Sequence, residues 1–122
     1  MDSSLRFRGN FIFPETANCQ FGTLHVKDGR ITRFEAADES ASAAHPDDIL
    51  LEGYVTPGLT DAHVHLCLDG SAQPETCLQQ GMVHLVTVGL HNLKRQLAAG
   101  VTTVRDLGSP HKLAIDLAKA VA

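Results

Sequence analysis

Two histidines separated by one residue, His63 and His65, are the side chains in this sequence best suited to chemistry. Both lie in an alternating segment, 59–66, that follows a Pro-Gly turn signal and predicts a short buried strand. Side chains two apart on a strand leave the same face, so Asp61 lies beside the imidazoles, one step deeper. Imidazole nitrogens are common zinc ligands, and catalytic zinc sites keep a position open for water. The spacing therefore predicts a divalent-metal site, although such a histidine pair also arises by chance in exposed segments.

Two longer segments resemble the amidohydrolase superfamily of metal-dependent hydrolases. Residues 57–65, Pro-Gly-Leu-Thr-Asp-Ala-His-Val-His, resemble the Pro-Gly-[Leu/Ile]-x-Asp-x-His-x-His signature that opens the barrel of that family. Thr60 departs from the pattern, since the family usually has an aliphatic residue there. Residues 99–106, Ala-Gly-Val-Thr-Thr-Val-Arg-Asp, resemble its second barrel strand, above all in the imidazolonepropionase and prolidase-like branch. The resemblance covers nearly the whole chain but only the N-terminal portion of the family's fold.

The resemblance implies roles for four side chains. His63 and His65 would bind one metal ion, while Asp61 and Asp106 would support the ligands or contact the substrate. For Asp106, a carboxylate that caps the following loop is the alternative interpretation. No catalytic residue is identifiable in this chain, because the family's bridging ligand, two further histidines and catalytic aspartate come from later strands. The implied cofactor is one or two divalent ions, zinc first, with iron, nickel or manganese as alternatives.

The reaction that the resemblance implies is hydrolysis of a carbon–nitrogen bond (amide, cyclic amide or dipeptide-type) in a small-molecule substrate by a metal-activated water. The alternative is a non-catalytic remnant or interaction module that keeps the scaffold but lacks the remaining ligands. Such a chain could self-associate through its open sheet edges, or it could be a fragment of a longer enzyme that lacks its C-terminal portion. The sequence leaves these alternatives open.

The resemblance and the order of predicted elements give an α/β fold. Residues 1–55 are expected to form part of a small β-sandwich, with strands at 5–8 and 11–13 interrupted at Gly9-Asn10 and a hairpin at Asp28-Gly29. Residues 56–122 are expected to form the first two βα units of a TIM-type (β/α)8 barrel. That barrel is incomplete here because a full one needs ~250 residues.

Two helices are predicted in the second domain. Apolar residues at helical spacing between Leu78 and Leu97 predict a helix that starts at Pro74, with Gly81 and Gly89 as points where it could break. The β-branched strand at 101–106 follows this helix. The apolar stripe of the last helix comprises Leu113, Leu117 and Val121.

Composition narrows the class of protein. The chain has 122 residues, 43% of them hydrophobic, and a net charge of -4 that gives no support to nucleic-acid binding. No apolar run is long enough to span a membrane, and the N-terminus lacks the apolar core of a signal peptide, so we expect a cytoplasmic protein. Cys19, Cys67 and Cys77 have no Cys-x-x-Cys spacing and predict no disulfide framework. Cys67 is expected to be an ordinary loop or half-buried thiol, with a third metal ligand as the alternative.

Overall fold

A four-stranded mixed sheet forms the first unit of the chain, Met1–Pro57. The computed structural model describes residues 4–40 and 43–121. The strands of this sheet are β1 (Ser4–Phe13), β2 (Asn18–Lys27), β3 (Arg30–Ala36) and β4 (Asp48–Val55). They lie in the order β3-β2-β1-β4, and neighbours are antiparallel except for β1 and β4, which are parallel. Phe34 on β3 packs edge-on against Phe11 and Phe13 of β1.

The turn between β2 and β3 is the one that the sequence predicts. Asp28 and Gly29 have φ angles of 51° and 73°. A type I′ turn requires positive φ at both central residues, and its twist matches the twist of the flanking strands. The hairpin prediction is therefore confirmed.

The break that the sequence predicts at Gly9-Asn10 is absent, so that expectation is wrong. β1 runs unbroken through Gly9, where a Cβ would lie only 3.1 Å from the backbone oxygen of Leu51 on β4. The register between β1 and β4 shifts between Arg8 and Asn10, and β4 continues past Gly53, whose φ is +76°. Glycine in a strand commonly marks a bulge or a close backbone approach rather than a terminus, and here it does both.

An ion pair joins the parallel strands β1 and β4. Arg6 Nε donates to Asp48 Oδ1 at 2.6 Å, and the Asp48 side chain has 0% of its surface exposed. Asp48 Oδ2 also accepts the backbone N–H of His45 at 2.9 Å. The hydrogen bond from Arg6, followed by the one from His45, holds the pKa of Asp48 below its usual value. The ionised carboxylate is therefore the form that the folded sheet favours.

This ion pair predicts a pH-dependent effect of the substitution Asp48→Asn. A carboxylate whose pKa is lowered by folding stabilises the protein above its unfolded pKa of about 3.9, and the stabilisation is lost as pH falls through the folded pKa. Asp48→Asn should therefore reduce the free energy of unfolding more at about pH 7 than at about pH 3. Urea unfolding of parent and variant at both pH values measures this, with exposed Glu52→Gln on β4 as the control. An equal loss at both pH values would contradict the prediction.

The second unit, Gly58–Ala122, is built on a parallel strand–helix–strand motif. Its elements are β5 (Leu59–Val64), α1 (Pro74–Cys77), α2 (Met82–Ala98), β6 (Val101–Asp106), a 3₁₀ turn (Pro110–Lys112) and α3 (Leu113–Val121). β5 and β6 form a two-stranded parallel sheet with α2 in the connection between them. This is the strand–helix–strand order that the sequence predicts. No helix within the described ranges combines the length and apolar character that crossing a membrane requires.

The helix predicted from Pro74 onward is split in two. α1 ends at Cys77, and α2 begins after Gly81, whose φ of -68° and ψ of 158° are extended. Gly89, the other expected weak point, stays inside α2, where a Cβ would come within 2.8 Å of Leu117 Cδ1. Gly100 follows the end of α2 with a φ of +84°, as a C-terminal glycine should.

The core of the second unit lies between α2, α3 and the loop after β5. Its buried members are Val64, Leu66, Cys67, Cys77, Leu85, Leu113 and Leu117. Val121, the third member of the stripe predicted on α3, is 61% exposed, so the stripe extends beyond the buried core. Its side chain borders a groove beside α2 and β6 that no described residue fills.

Candidate metal centre

The end of β5 presents the two predicted ligands. His63 lies on the strand, and His65 follows its last residue, Val64. Both imidazoles are exposed, whereas Val64 and Leu66 are buried in the core, so burial alternates over residues 63–66. The earlier part of the predicted buried strand is not buried, since Leu59 is 59% exposed and Ala62 is exposed as well. The ring centroids are 5.4 Å apart with an interplanar angle of 75°. The core thus anchors the segment through its aliphatic side chains and leaves two neighbouring imidazoles facing outward.

A backbone carbonyl fixes the protonation pattern of His65. His65 Nδ1 lies 3.0 Å from the carbonyl oxygen of Gly108, in the loop after β6. A carbonyl oxygen can only accept, so Nδ1 carries a proton, and in the neutral ring Nε2 then keeps its lone pair. Metal-binding histidines typically donate their other ring N–H in this way. The hydrogen bond therefore directs the lone pair of Nε2 away from Gly108.

Asp61 contacts the backbone of His63 rather than its imidazole. Its Oδ1 accepts the His63 backbone N–H at 3.1 Å, and its Oδ2 lies 3.4 Å from Nε2 of Gln96 on α2. The carboxylate thus ties the strand to the helix next to the first ligand.

Asp106 occupies the end of β6 and bonds two backbone amides. Its Oδ2 accepts the N–H of Leu66 at 2.9 Å, and its Oδ1 accepts the N–H of Gly108 at 2.8 Å. The bond to Gly108 fits the loop-capping interpretation. The bond to Leu66 reaches the residue after His65, so the same carboxylate also supports the segment that carries this candidate ligand.

Sequence reasoning missed Asn92, which holds the loop after β5. Its Nδ2 donates to the carbonyl oxygens of Leu66 and Leu68, both at 2.8 Å. A signal was present, because Gly89 follows Leu85 by four residues and Asn92 follows Gly89 by three, which continues the buried stripe of α2. An amide on the inward stripe of a helix has to find backbone partners, since burying it unpaired would cost free energy.

A polar cleft of ≈ 430 Å³ lies beside the histidines. Its lining residues are Asp61, His63, Val64, His65, Leu66, Asn92, Arg95 and Gln96. These residues come from both faces of the β5 segment and from α2, and none of them comes from β6. Because β6 pairs with one edge of β5, the cleft lies at the other, free edge of β5. The imidazoles are therefore open to a ligand from that side.

Cys67 does not extend the ligand set. It is 1% exposed within the core, and the Cys77 Sγ–H donates to its backbone oxygen at 3.2 Å. Burial raises the pKa of the Cys67 thiol, as expected for a side chain enclosed by the core. Within residues 4–40 and 43–121, no group of three or more His, Cys, Asp or Glu is arranged to hold an ion. Among the described residues, the candidate ligands of this site are therefore the two imidazoles of His63 and His65.

The comparison with known protein families decides the family. Residues 54–122 match the sequence profile of the amidohydrolase family. The chain belongs to this family. The resemblance seen in its motifs is thereby confirmed, and the family is generally dependent on divalent metals. No curated protein shows significant sequence similarity to the chain.

Solved amidohydrolase-like structures share the fold of this chain. A Xaa-Pro dipeptidase with bound methionine matches with a TM-score of 0.81 and 22% identity, over 98% of this chain and 30% of that one. An amidohydrolase matches at 0.69 and 26%, over 96% and 29%. The guanine deaminase of E. coli matches at 0.70 and 19%, over 93% and 32%. This amidohydrolase-family chain is thus a small α/β protein that spans about 30% of the length of the dipeptidase.

Proposed function

We propose that this chain supplies the first two metal ligands, His63 and His65, of a hydrolase that cleaves carbon–nitrogen bonds. The observation that carries the proposal is the pair of exposed imidazoles at the end of β5, with His65 Nδ1 bonded to the Gly108 carbonyl at 3.0 Å. That bond leaves Nε2 free to bind a metal ion. Family membership supports the reaction class, since amidohydrolases are named for the hydrolysis of amide bonds.

The proposal includes the architecture in which these ligands would work. In it, residues 1–55 contribute one sheet of a small β-sandwich, and residues 56–122 form the first two βα units of a (β/α)8 barrel. Active sites of such barrels lie at the C-terminal ends of the strands. His63, His65 and Asp106 all lie at the C-terminal ends of β5 and β6, which agrees with that arrangement.

Each side chain has a separate task in this proposal. A bound divalent ion would lower the pKa of a water molecule toward neutrality and polarise the substrate carbonyl. His63 and His65 would hold that ion, while Asp61 fixes the backbone of the first ligand and Asn92 fixes the loop after the second. Zinc is the ion that we propose, with iron, nickel or manganese as alternatives.

For the substrate, we propose a small molecule with an amide, cyclic amide or dipeptide-type bond. The similarity of residues 99–106 to the prolidase-like branch favours the dipeptide class. So does the fold shared with the Xaa-Pro dipeptidase. A cytoplasmic location is part of the same proposal.

The test is a Zn²⁺ titration of the chain followed through the NMR signals of its histidine rings, which also detect weak binding. We expect the His63 and His65 signals to shift together and to saturate. The double variant His63→Ala/His65→Ala should lose all saturable zinc binding, because both donors are gone. The control is His84→Ala/His91→Ala, which removes two exposed histidines of α2 and should bind zinc like the parent.

Unchanged zinc binding in His63→Ala/His65→Ala would contradict the metal assignment. A folded parent chain whose His63 and His65 signals do not respond to zinc would favour the alternative function, an interaction module without catalysis. Size-exclusion chromatography of the same sample would then show whether the chain associates with itself.

A further inference from the structure

A closed circuit of hydrogen bonds connects Asp106 to the ring of His65. The Asp106 carboxylate accepts the backbone N–H of Leu66 at 2.9 Å and that of Gly108 at 2.8 Å. The carbonyl of Gly108 accepts the Nδ1–H of His65 at 3.0 Å. Leu66 follows His65 directly, which closes the circuit. Asp106 thus ties the backbone that carries the imidazole to the carbonyl that orients it.

We propose that Asp106 is a positioning residue that holds His65 in the Nδ1–H tautomer and directs Nε2 toward the metal ion. This role of Asp106 in metal binding rests on the proposed function. The hydrogen-bond circuit itself does not require a metal ion. Groups that bond the far nitrogen of a ligand histidine fix its tautomer and ring orientation. Asp106 acts one bond further out, because it places the carbonyl rather than touching the ring.

The chemistry of a carboxylate suits this task. An ionised carboxylate has two acceptor oxygens and no donor, so it can accept from both backbone amides at once. An asparagine of the same shape offers one oxygen and one NH₂ group, and the NH₂ would face one of the two N–H groups. Asp106→Asn therefore keeps the size of the side chain but opens the circuit on one side. Gly108 or Leu66 then loses its partner, and the carbonyl is no longer held against the ring.

Asp69 provides a matched control within the same unit. Its Oδ1 accepts the backbone N–H of Ser71 at 3.0 Å, a local bond two residues on, like that of Asp106 to Gly108. The Asp69 carboxylate lies in the exposed loop before α1, and its bond to Ser71 stays within that loop. Asp69→Asn thus removes a comparable aspartate–backbone bond without opening the circuit.

The experiment reads the tautomer directly from the ring ¹⁵N signals of His65 in the metal-free chain, at about pH 8 where imidazole is neutral. In the parent, we expect Nδ1 protonated and Nε2 unprotonated, with the two nitrogens well separated in chemical shift. In Asp106→Asn, the two shifts should converge as the tautomers exchange. In Asp106→Asn, the ring signals of His63, His84 and His91 should remain unchanged. In Asp69→Asn, the ring signals of His65 should match those of the parent.

A second measurement connects the circuit to the metal. Zinc affinity should fall by about 10- to 100-fold in Asp106→Asn and stay constant in Asp69→Asn, the range seen when outer partners of ligand histidines are removed. An unchanged His65 tautomer in Asp106→Asn would overturn the positioning role. An Nε2–H tautomer of His65 in the parent would also overturn the positioning role. This measurement needs no variant, so it tests the proposal even if Asp106→Asn does not fold. A parent that binds no zinc but shows the tautomer shift would overturn the proposed function and leave the circuit intact.

Discussion

Replacing Leu85 by Ala should lower the free energy of unfolding by about 2–5 kcal/mol, the range for a large aliphatic side chain removed from a core. Leu85 is 1% exposed and belongs to the buried cluster that α2 shares with α3 and the loop after β5. Its loss removes apolar burial and leaves a cavity, and both terms destabilise the fold.

Urea unfolding measures this change, and α2 provides its own control. Val83 lies two residues earlier on the same helix and is 81% exposed. Val83→Ala also shortens an aliphatic side chain, but we expect it to change stability by no more than about 0.5 kcal/mol. Similar losses from Leu85→Ala and Val83→Ala would show that the second unit does not have the core described above.

The second large effect is expected from Gly58→Ala. A Cβ at Gly58 would clash with Oγ1 of Thr102 on β6 and would lie 2.7 Å from the Cβ of the same residue. The Cβ of Thr102 cannot rotate away, so the backbone of β5 or β6 has to move. Overpacking of this kind costs about 1–3 kcal/mol and occasionally more. The expected result is a lower midpoint of thermal unfolding.

A double-mutant cycle isolates the contact. Thr102→Gly removes the side chain that the new methyl group would meet, so Gly58→Ala should cost much less in the Thr102→Gly background than in the parent. Gly108→Ala is the control, because its nearest neighbour to a new Cβ, Cε1 of His65, lies at 4.0 Å. Equal costs of Gly58→Ala in both backgrounds would mean that Thr102 is not the reason for a glycine at this position.

The sequence pattern singled out Gly58 correctly but did not explain why a glycine is required there. The Pro-Gly pair was interpreted as a turn in which glycine is useful for its freedom at positive φ. The described glycines with positive φ are Gly29, Gly53, Gly70 and Gly100, and Gly58 is not among them. Its requirement for glycine comes instead from Thr102, a residue far away in sequence, which no local pattern could reveal.

The features that the sequence predicts well are those with short-range causes. The Asp-Gly turn depends on the backbone preferences of adjacent residues, and the burial pattern around His63 and His65 depends on strand geometry. The strand–helix–strand order follows from changes of hydrophobic period along the chain. These signals located the two candidate ligands and the elements that carry them.

The features that the sequence did not predict depend on contacts between distant positions. The Gly108 carbonyl bonds His65 across 43 positions, and Asn92 bonds Leu66 across 26. The close approach of Leu51 on β4 to Gly9 inside β1 also joins positions far apart in the sequence. In each case the tertiary fold determines the partner, so the interaction could be recognised only from the folded structure.

The bond between His65 and Gly108 has a consequence for the order of events during folding. The ring gains its orientation only after β6 has paired with β5, which requires closing a loop of some 43 positions. An unfolded or half-docked chain therefore carries both histidines but not the oriented Nε2. Any ion that recognises the oriented pair binds the native state in preference to the unfolded one, and by mass action it stabilises the paired strands. The same strand pairing that closes the loop thus makes metal affinity a reporter of folding in the second unit.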